Sequence, residues 1–249
     1  MSASGNQGRT LERAFEILRC LEEARAPIRL SEIAKTTDLH LATTQRTIST
    51  LMRLGYVQSS GTGYSLGPVV LAQAHSFVLQ DPLVKAARPV LAELSDSTGL
   101  TASIFVRSGF ERILTARVEA PEPMRYQFPI GRRLPLDVGA GKPLLAHLPE
   151  DELEEYFEDY ADLRLATGQR QTAESLRAEL SEIRESGYHL GVSERVLGTV
   201  SVAAAVRSTR GDVPGALNIV AHDDTVSVDA LRRRVPEMLR AAELIGQQV

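Results

Sequence analysis

Residues 30–66 run LSEIAKTTDLHLATTQRTISTLMRLGYVQSSGTGYSL. Ser31 stands as a candidate N-cap before Glu32-Ile33-Ala34-Lys35, which reads as a short helix. Thr36-Thr37-Asp38 reads as a turn. The spacing then predicts a second helix from about Ala42 to Leu54. Its inner face carries Ile48, Leu51 and the partly apolar Thr44, with Met52 beside them. Its outer face carries Thr43, Gln45, Arg46, Ser49, Thr50 and Arg53, and Gly55 closes it. Tyr56–Gln58 and Tyr64–Leu66 flank the Gly-rich Ser59–Gly63, the pattern of a hairpin. Upstream, Leu11, Ala14, Phe15 and Leu18 recur at i, i+3, i+4 and i+7, which predicts an amphipathic helix from Leu11 to Ala24, ended by Pro27. Helix, short helix, turn, helix, hairpin is the order of a winged helix-turn-helix, mainly α.

Charge points the same way once it is divided. The 249 residues carry a formal net charge of −4, which as an average argues against a polyanionic partner. Residues 1–80 hold eight Lys and Arg against six Asp and Glu, a net +2; the rest hold twenty against twenty-six, a net −6. No carboxylate lies between Asp38 and Asp81, while Arg46 and Arg53 do. A surface that meets phosphates has this composition. A helix that starts with small and polar residues can enter the major groove. Thr43 and Gln45 are the candidate base readers, with Thr44 and Ser49 in the same DNA-contacting set. Arg46 and Arg53 suit backbone phosphates. Gly61 and Thr62, in the wing, suit an adjacent minor groove or the backbone. The alternative is a winged helix used as a protein-interaction module.

From Gly67 to Gln80, Val69, Val70, Leu71, Ala74 and Phe77 predict a connecting helix whose apolar stripe packs under a second domain or against a second copy. Asp81-Pro82 breaks it. Beyond lie a helix over Leu83–Ser97, strands over Thr101–Val106 and Arg112–Val118, a strand-like run around Met124–Phe128, and a helix opened by Thr172 and closed by Gly187. Strands over Val200–Val206 and Ala216–Ala221 follow, then a last helix from Val228 to Ile245, kinked at Pro236. Hairpins with few crossovers favour an α+β domain with a largely antiparallel sheet.

Gly139-Ala140-Gly141-Lys142 is the most informative stretch of this half. Glycines at the entry of a helix let a carboxylate approach backbone N–H groups. It is not a P-loop, since Leu136 and Pro143 stand where Gly and Ser or Thr are required. A turn needed only for packing is the competing reading. Leu134, Leu136 and Val202 are candidate aliphatic neighbours for a bound organic acid, and Arg125 and Arg133 are the arginines nearest in sequence for a clamp. The acidic run Glu150–Asp159 lacks the spacing of a calcium loop and reads as a helix face. One cysteine, Cys20, excludes an internal disulfide and a multi-thiolate zinc site. Five scattered histidines and the lack of a Gly-x-Ser-x-Gly elbow give no support to catalysis, a metal site or a cofactor. No apolar run suggests a signal peptide or membrane helix, so a cytoplasmic protein is expected.

Several of these stretches together resemble one family. Leu11-Glu12-Arg13-Ala14-x-x-Ile17-Leu18, Leu30-Ser31-Glu32-Ile33-Ala34, Thr43-x-x-Arg46, Leu51-x-x-Leu54-Gly55-Tyr56-Val57 and Tyr64-x-Leu66-Gly67 look like the IclR family of bacterial transcriptional regulators. Gly131-x-x-Leu134-Pro135-Leu136, Gly139-Ala140-Gly141-Lys142, Gly187-Tyr188 and Ala203-Ala204 extend the resemblance over about residues 9–246. It implies a DNA-binding domain over residues 1–66, a linker helix over 67–81, and a GAF-like effector-binding and oligomerisation domain over 82–249. It implies a repressor of a catabolic operon, binding a palindromic duplex operator as a homodimer or homotetramer. The effector it implies is a small organic or aromatic carboxylic acid, held by Gly139, Ala140, Gly141, Glu194, Ser201 and Asn218. Ser201 stands where the family often has Cys, Asn218 where it often has Ser, and Asp137 where it often has His. His40-Leu41-Ala42 replaces a basic start of the reading helix, so no operator sequence transfers.

Overall fold

The structure, a computed structural model, describes residues 4–121 and 128–249. It divides into two units, Met1–Phe77 and Val78–Val249.

The first unit opens with α1 (Ser4–Glu23), α2 (Leu30–Thr36) and α3 (Leu41–Arg53). A hairpin of β1 (Val57–Ser59) and β2 (Tyr64–Leu66) follows, and Ile28 bridges to Tyr64. The core joins Ile17 and Leu21 of α1 to Ile33 of α2, Ile48 and Leu51 of α3, and Val57. This corrects the expected inner face of α1. Its buried stripe is Ala14, Ile17, Leu18 and Leu21, whereas Leu11 and Phe15 are 60% and 62% exposed. Both stripes have helical spacing, and only one of them faces α2 and α3. The N-cap of α2 is Arg29 rather than Ser31, and the Arg29 amide donates to Glu32 Oε2 at 2.9 Å. Asp38, at φ 50°, makes the turn into α3, a conformation a short polar side chain tolerates. Gly55, at φ 80°, ends α3 as the left-handed residue after Leu54.

Helix α4 (Val69–Gln80) runs from the first unit into the second, and none of its residues is buried. The second unit continues with α5 (Pro82–Thr98), β3 (Thr101–Ser108), β4 (Glu111–Val118) and β5 (Arg133–Pro135). Next come α6 (Gly141–Leu145), α7 (Glu150–Glu158), β6 (Leu163–Arg164), β7 (Arg170–Gln171) and α8 (Ala173–Ser186). The chain ends with β8 (Tyr188–Val192), β9 (Thr199–Val206), β10 (Gly215–His222), α9 (Val228–Arg232) and α10 (Val235–Gly246). Six strands form one antiparallel sheet in the order β5-β4-β3-β10-β9-β8. The expected run at 124–128 lies outside the described residues except for Phe128. The expected last helix is two helices, since Pro236 sits in the first turn of α10 rather than kinking a continuous rod.

The faces of this sheet do different work. Ala102, Ile104, Leu217, Ile219, Val202 and Ala204 pack under α5 and α10 in the main core. On the other face, Phe105, Leu114, Leu134, Ala140 and Ala203 form a separate apolar cluster. A third cluster, from α6, α7 and α8, joins Leu136 and Ala216 beside it. Strand β4 breaks the alternation. Ala116 pairs with Ile104 and Leu114 with Phe105, so Thr115 has no partner and forms a bulge. Arg112 and Leu114 lie on the second face before the bulge, and the extra residue returns Arg117, opposite Ser103, to that face.

Candidate functional site

A partly open cavity of about 110 Å³ lies on that second face. Its floor comes from the strands: Thr101 and Phe105 of β3, Arg112 and Arg117 of β4, Asn218 and Val220 of β10, Ser201 of β9 and Gly191 of β8. Its rim comes from Phe128, Leu134, the Val138–Ala140 loop and residues 194–196. Gly139, Ala140, Glu194, Ser201 and Asn218, expected from sequence to share a site, all line it. Gly141 does not. It begins α6, its amide donates to Val138 O at 3.1 Å, and a Cβ there would overlap the Leu136 backbone. Of the expected aliphatic neighbours, Leu134 is at the wall. Leu136 belongs to the cluster behind it, and Val202 faces the opposite side of the sheet.

Glu194 is the most heavily engaged group. Its Oε2 accepts from the Gly139 amide at 2.5 Å, and its Oε1 accepts from Lys142 Nζ at 2.5 Å and lies 3.0 Å from His189 Nε2. Lys142, only 1% exposed, also donates to Glu179 at 2.7 Å. Its ammonium is the cation held among Glu179, Glu194 and His189, the three groups here whose donor atoms cluster as metal ligands would. Burial pushes the Glu194 carboxyl upward, but His189 and Lys142 outweigh it and hold the group at about 2. Gly191 makes room for this arrangement, since a Cβ there would lie 3.1 Å from both Glu194 Oε2 and Ser201 Oγ. The loop amide expected to receive a ligand carboxylate is therefore taken by the protein's own at Gly139. The Ala140 amide has no hydrogen-bond partner among the described residues.

The cations are elsewhere than expected. Arg125 lies outside the described residues, and Arg133 pairs with Glu111 at 3.3 Å away from the cavity wall. Arg112, Arg117 and Arg195 line the cavity instead. Arg112 is 5% exposed, and its Nη1 donates to the carbonyls of Pro135 and Val138, tying down the loop. Its Nε has no hydrogen-bond partner among the described residues. Burial first, and then the charge of Arg195, lower its pKa to about 9, so it stays a cation at neutral pH. Arg117 donates to Ser103 Oγ at 3.2 Å and to Phe128 O at 2.8 Å. Arg112 stacks on Phe105 and Arg195 on Phe128, with centroid distances of 5.3 and 4.7 Å. The buried Asn218 Oδ1 is also unpartnered. Among the described residues Glu194 is the carboxylate that lines the cavity, and Lys142 and His189 already engage it, while Arg112 and Arg117 are bound to carbonyls and a hydroxyl. Arg112 and Arg117 give this wall the chemistry to hold an anion.

The other candidate surface is α3. Gln45, Arg46, Ser49 and Arg53 are exposed and Thr43 is half-exposed; Gly61 and Thr62 are exposed in the wing. Gly61, at φ 64°, makes its turn. Thr44 is a correction. It is fully buried, and its hydroxyl donates to His40 O at 3.2 Å, so it belongs to the core of the unit and cannot touch a duplex.

A helix-turn-helix with a wing, joined to a sheet carrying an arginine-lined cavity, is the architecture of a DNA-binding regulator with an effector domain. A family model described as IclR helix-turn-helix domain matches residues 10–61, and one described as Bacterial transcriptional regulator IclR C-terminal matches residues 75–246. The chain belongs to the IclR family of bacterial transcriptional regulators. It is 30% identical over 236 residues to the Pca regulon regulatory protein of Pseudomonas putida, covering 94% of this chain and 81% of that one. It is 31% identical over 219 residues to the HTH-type transcriptional repressor AllR of Escherichia coli K12, covering 84% and 78%. A crystal structure of a double mutant of the PobR inducer binding domain from Acinetobacter, in complex with 3-hydroxybenzoic acid, is also similar. It is 30% identical with a TM-score of 0.58, covering 66% of this chain and 98% of that chain. No helix among the described residues is long and apolar enough to cross a membrane.

Proposed function

We propose that this regulator is a cytoplasmic, ligand-responsive repressor of a catabolic operon, with a small organic or aromatic carboxylic acid as effector. The observation that carries the reading is the pair of arginines Arg112 and Arg117 in the cavity wall, with Ser201 and Asn218 on the same sheet face. The effector's carboxylate lies on the guanidinium side and the Ala140 amide, its body lies against Phe105, Leu134 and Val138, and Asn218 takes a hydroxyl or N–H donor from it. Glu194 serves the site by fixing the Gly139 loop. The name of AllR and the 3-hydroxybenzoic acid held by the PobR domain support repression and an acidic effector.

In this reading residues 1–66 bind DNA, 67–81 form the linker, and 82–249 sense the effector and hold the oligomer. Leu71 and Phe77, 74% and 45% exposed on α4, and Leu11 and Phe15 on α1 supply apolar surface for a homodimer or homotetramer. A two-fold assembly places two copies of α3 on a palindromic operator. Thr43, Gln45 and Ser49 face the bases, Arg46 and Arg53 the phosphates, and Gly61 and Thr62 carry the wing contact. Ligand acts by binding one of two quaternary arrangements better than the other. The test is a thermal-shift screen of small carboxylates, since a tight ligand raises stability by mass action. Carboxylates that bind should alter affinity for the duplex flanking the protein's own gene. A screen in which neutral isosteres stabilise as well as the acids would contradict the reading.

A further inference from the structure

The face that α3 presents is unusual in what it lacks. Its first turn is Leu41, Ala42, Thr43 and Thr44, with no Lys, Arg, Asn or Gln. Leu41 is 54% exposed and Ala42 is exposed as well. Ala42, Gln45 and Ser49 follow at i, i+3 and i+7 and so form one stripe. Three hydroxyls around that stripe, those of Thr47, Ser49 and Thr50, donate within the helix. Thr47 donates to Thr43 O at 3.0 Å, Ser49 to Gln45 O at 2.8 Å, and Thr50 to Arg46 O at 3.2 Å. Engaged in this way, each keeps an acceptor oxygen, and Thr47 and Thr50 keep a methyl group besides. Gln45 alone on the stripe offers a donor and an acceptor together.

We infer that α3 reads A·T pairs in its half-site: a thymine C5-methyl sits against Ala42 and Leu41, and Gln45 forms the paired hydrogen bonds to an adenine edge. The inference rests on the DNA-reading role proposed above for α3. The chemistry follows from the groove. Thymine is the base that displays a methyl in the major groove, and small apolar side chains recognise it. Adenine offers N7 as acceptor and its N6 amino group as donor, which a carboxamide matches. Guanine offers two acceptors and calls for two donors from Arg or Lys. The first turn of α3 has no such residue, and Arg46 and Arg53, at i+4 from Ala42 and Ser49, border the stripe along one edge, suited to phosphates. Ser49, with its proton committed, can only accept from an exocyclic amino group.

The experiment uses the full-length protein and a random duplex pool at one fixed salt concentration. The selected half-site should carry T·A pairs where α3 enters. Each thymine in it is then replaced singly by deoxyuridine, which lacks only the methyl. One replacement should weaken wild-type binding about three- to tenfold, and Ala42→Gly should abolish the sensitivity at that position. Gln45→Glu should move the preference at the adenine position towards cytosine, because a carboxylate only accepts and cytosine N4 donates. Thermal unfolding of both variants shows that they are folded, while the deoxyuridine series needs no variant at all. A half-site indifferent to every deoxyuridine replacement, or one read through guanine and lost on Arg46→Ala, overturns the inference while leaving DNA binding standing. Selection of no sequence contradicts both the inference and the role of α3 on which it rests.

Discussion

Lys142 Nζ lies 2.5 Å from Glu194 Oε1, and the other oxygen of that carboxylate accepts the Gly139 amide. The pair joins α6 to the β8–β9 connection under the wall of the cavity. Removing the ammonium leaves Glu179 and Glu194 facing each other with only His189 beside them. Lys142→Met should cost about 3–5 kcal/mol of stability, read by urea unfolding at neutral pH. Adding Glu194→Gln should recover part of the loss, because it removes one of the stranded charges. A Lys142→Met protein as stable as wild type would show that the pair contributes nothing.

The same carboxylate sets a pH dependence. Glu194 titrates at about 2 in the folded protein, below the usual range of about 4.3 for Glu. A depressed folded pKa means that the unfolded state binds the proton first as pH falls. The contribution of Glu194 is therefore fully present above about pH 4.5 and is lost progressively towards pH 2. Unfolding free energies across this window should fall more steeply for wild type than for Glu194→Gln. Parallel curves would contradict the assignment.

At the cavity, Arg117 is held by Ser103 and Phe128 O, with no carboxylate within hydrogen-bond distance among the described residues. Arg117→Met should weaken binding of a small carboxylate about tenfold or more, the scale of a charge-assisted hydrogen bond, while leaving the unfolding midpoint nearly unchanged. Calorimetric titration reads the first and a thermal melt the second. Equal affinity in wild type and variant would remove Arg117 from the site.

On α3, neighbouring positions should separate by role. Thr44→Val should leave affinity for DNA intact and cost about 1 kcal/mol of stability through the lost bond to His40 O. Arg46→Ala should weaken binding to all sequences alike and lower the slope of log affinity against log salt by about one. Anisotropy titrations at several salt concentrations distinguish the two.

The helix-turn-helix was legible because its signals are local: apolar spacing over Ile48 and Leu51, a glycine after α3, and a Gly-rich turn between β1 and β2. Thr44 was misread because a threonine hydroxyl satisfied by the carbonyl four residues back behaves as an apolar core group, which composition does not reveal. In the second unit the loop at Gly139 was legible from its glycines, and the polar positions Glu194, Ser201 and Asn218 from the resemblance. The arginines were not. Strict alternation puts Arg112 and Arg117 on opposite faces of β4, and only the bulge at Thr115 brings them together. The engagement of Glu194 with Gly139 was hidden for a related reason, since the two lie 55 positions apart in the chain.

An anion in the arginine-lined cavity should change affinity for the operator. The most direct test is an anisotropy titration of a labelled, selected duplex, with and without a saturating carboxylate found by thermal shift. For wild type the midpoint should move by about fivefold or more, and for Arg117→Met at the same ligand concentration it should move far less. An unmoved midpoint for wild type with the carboxylate demonstrably bound, or an equal shift in the variant, would contradict the account.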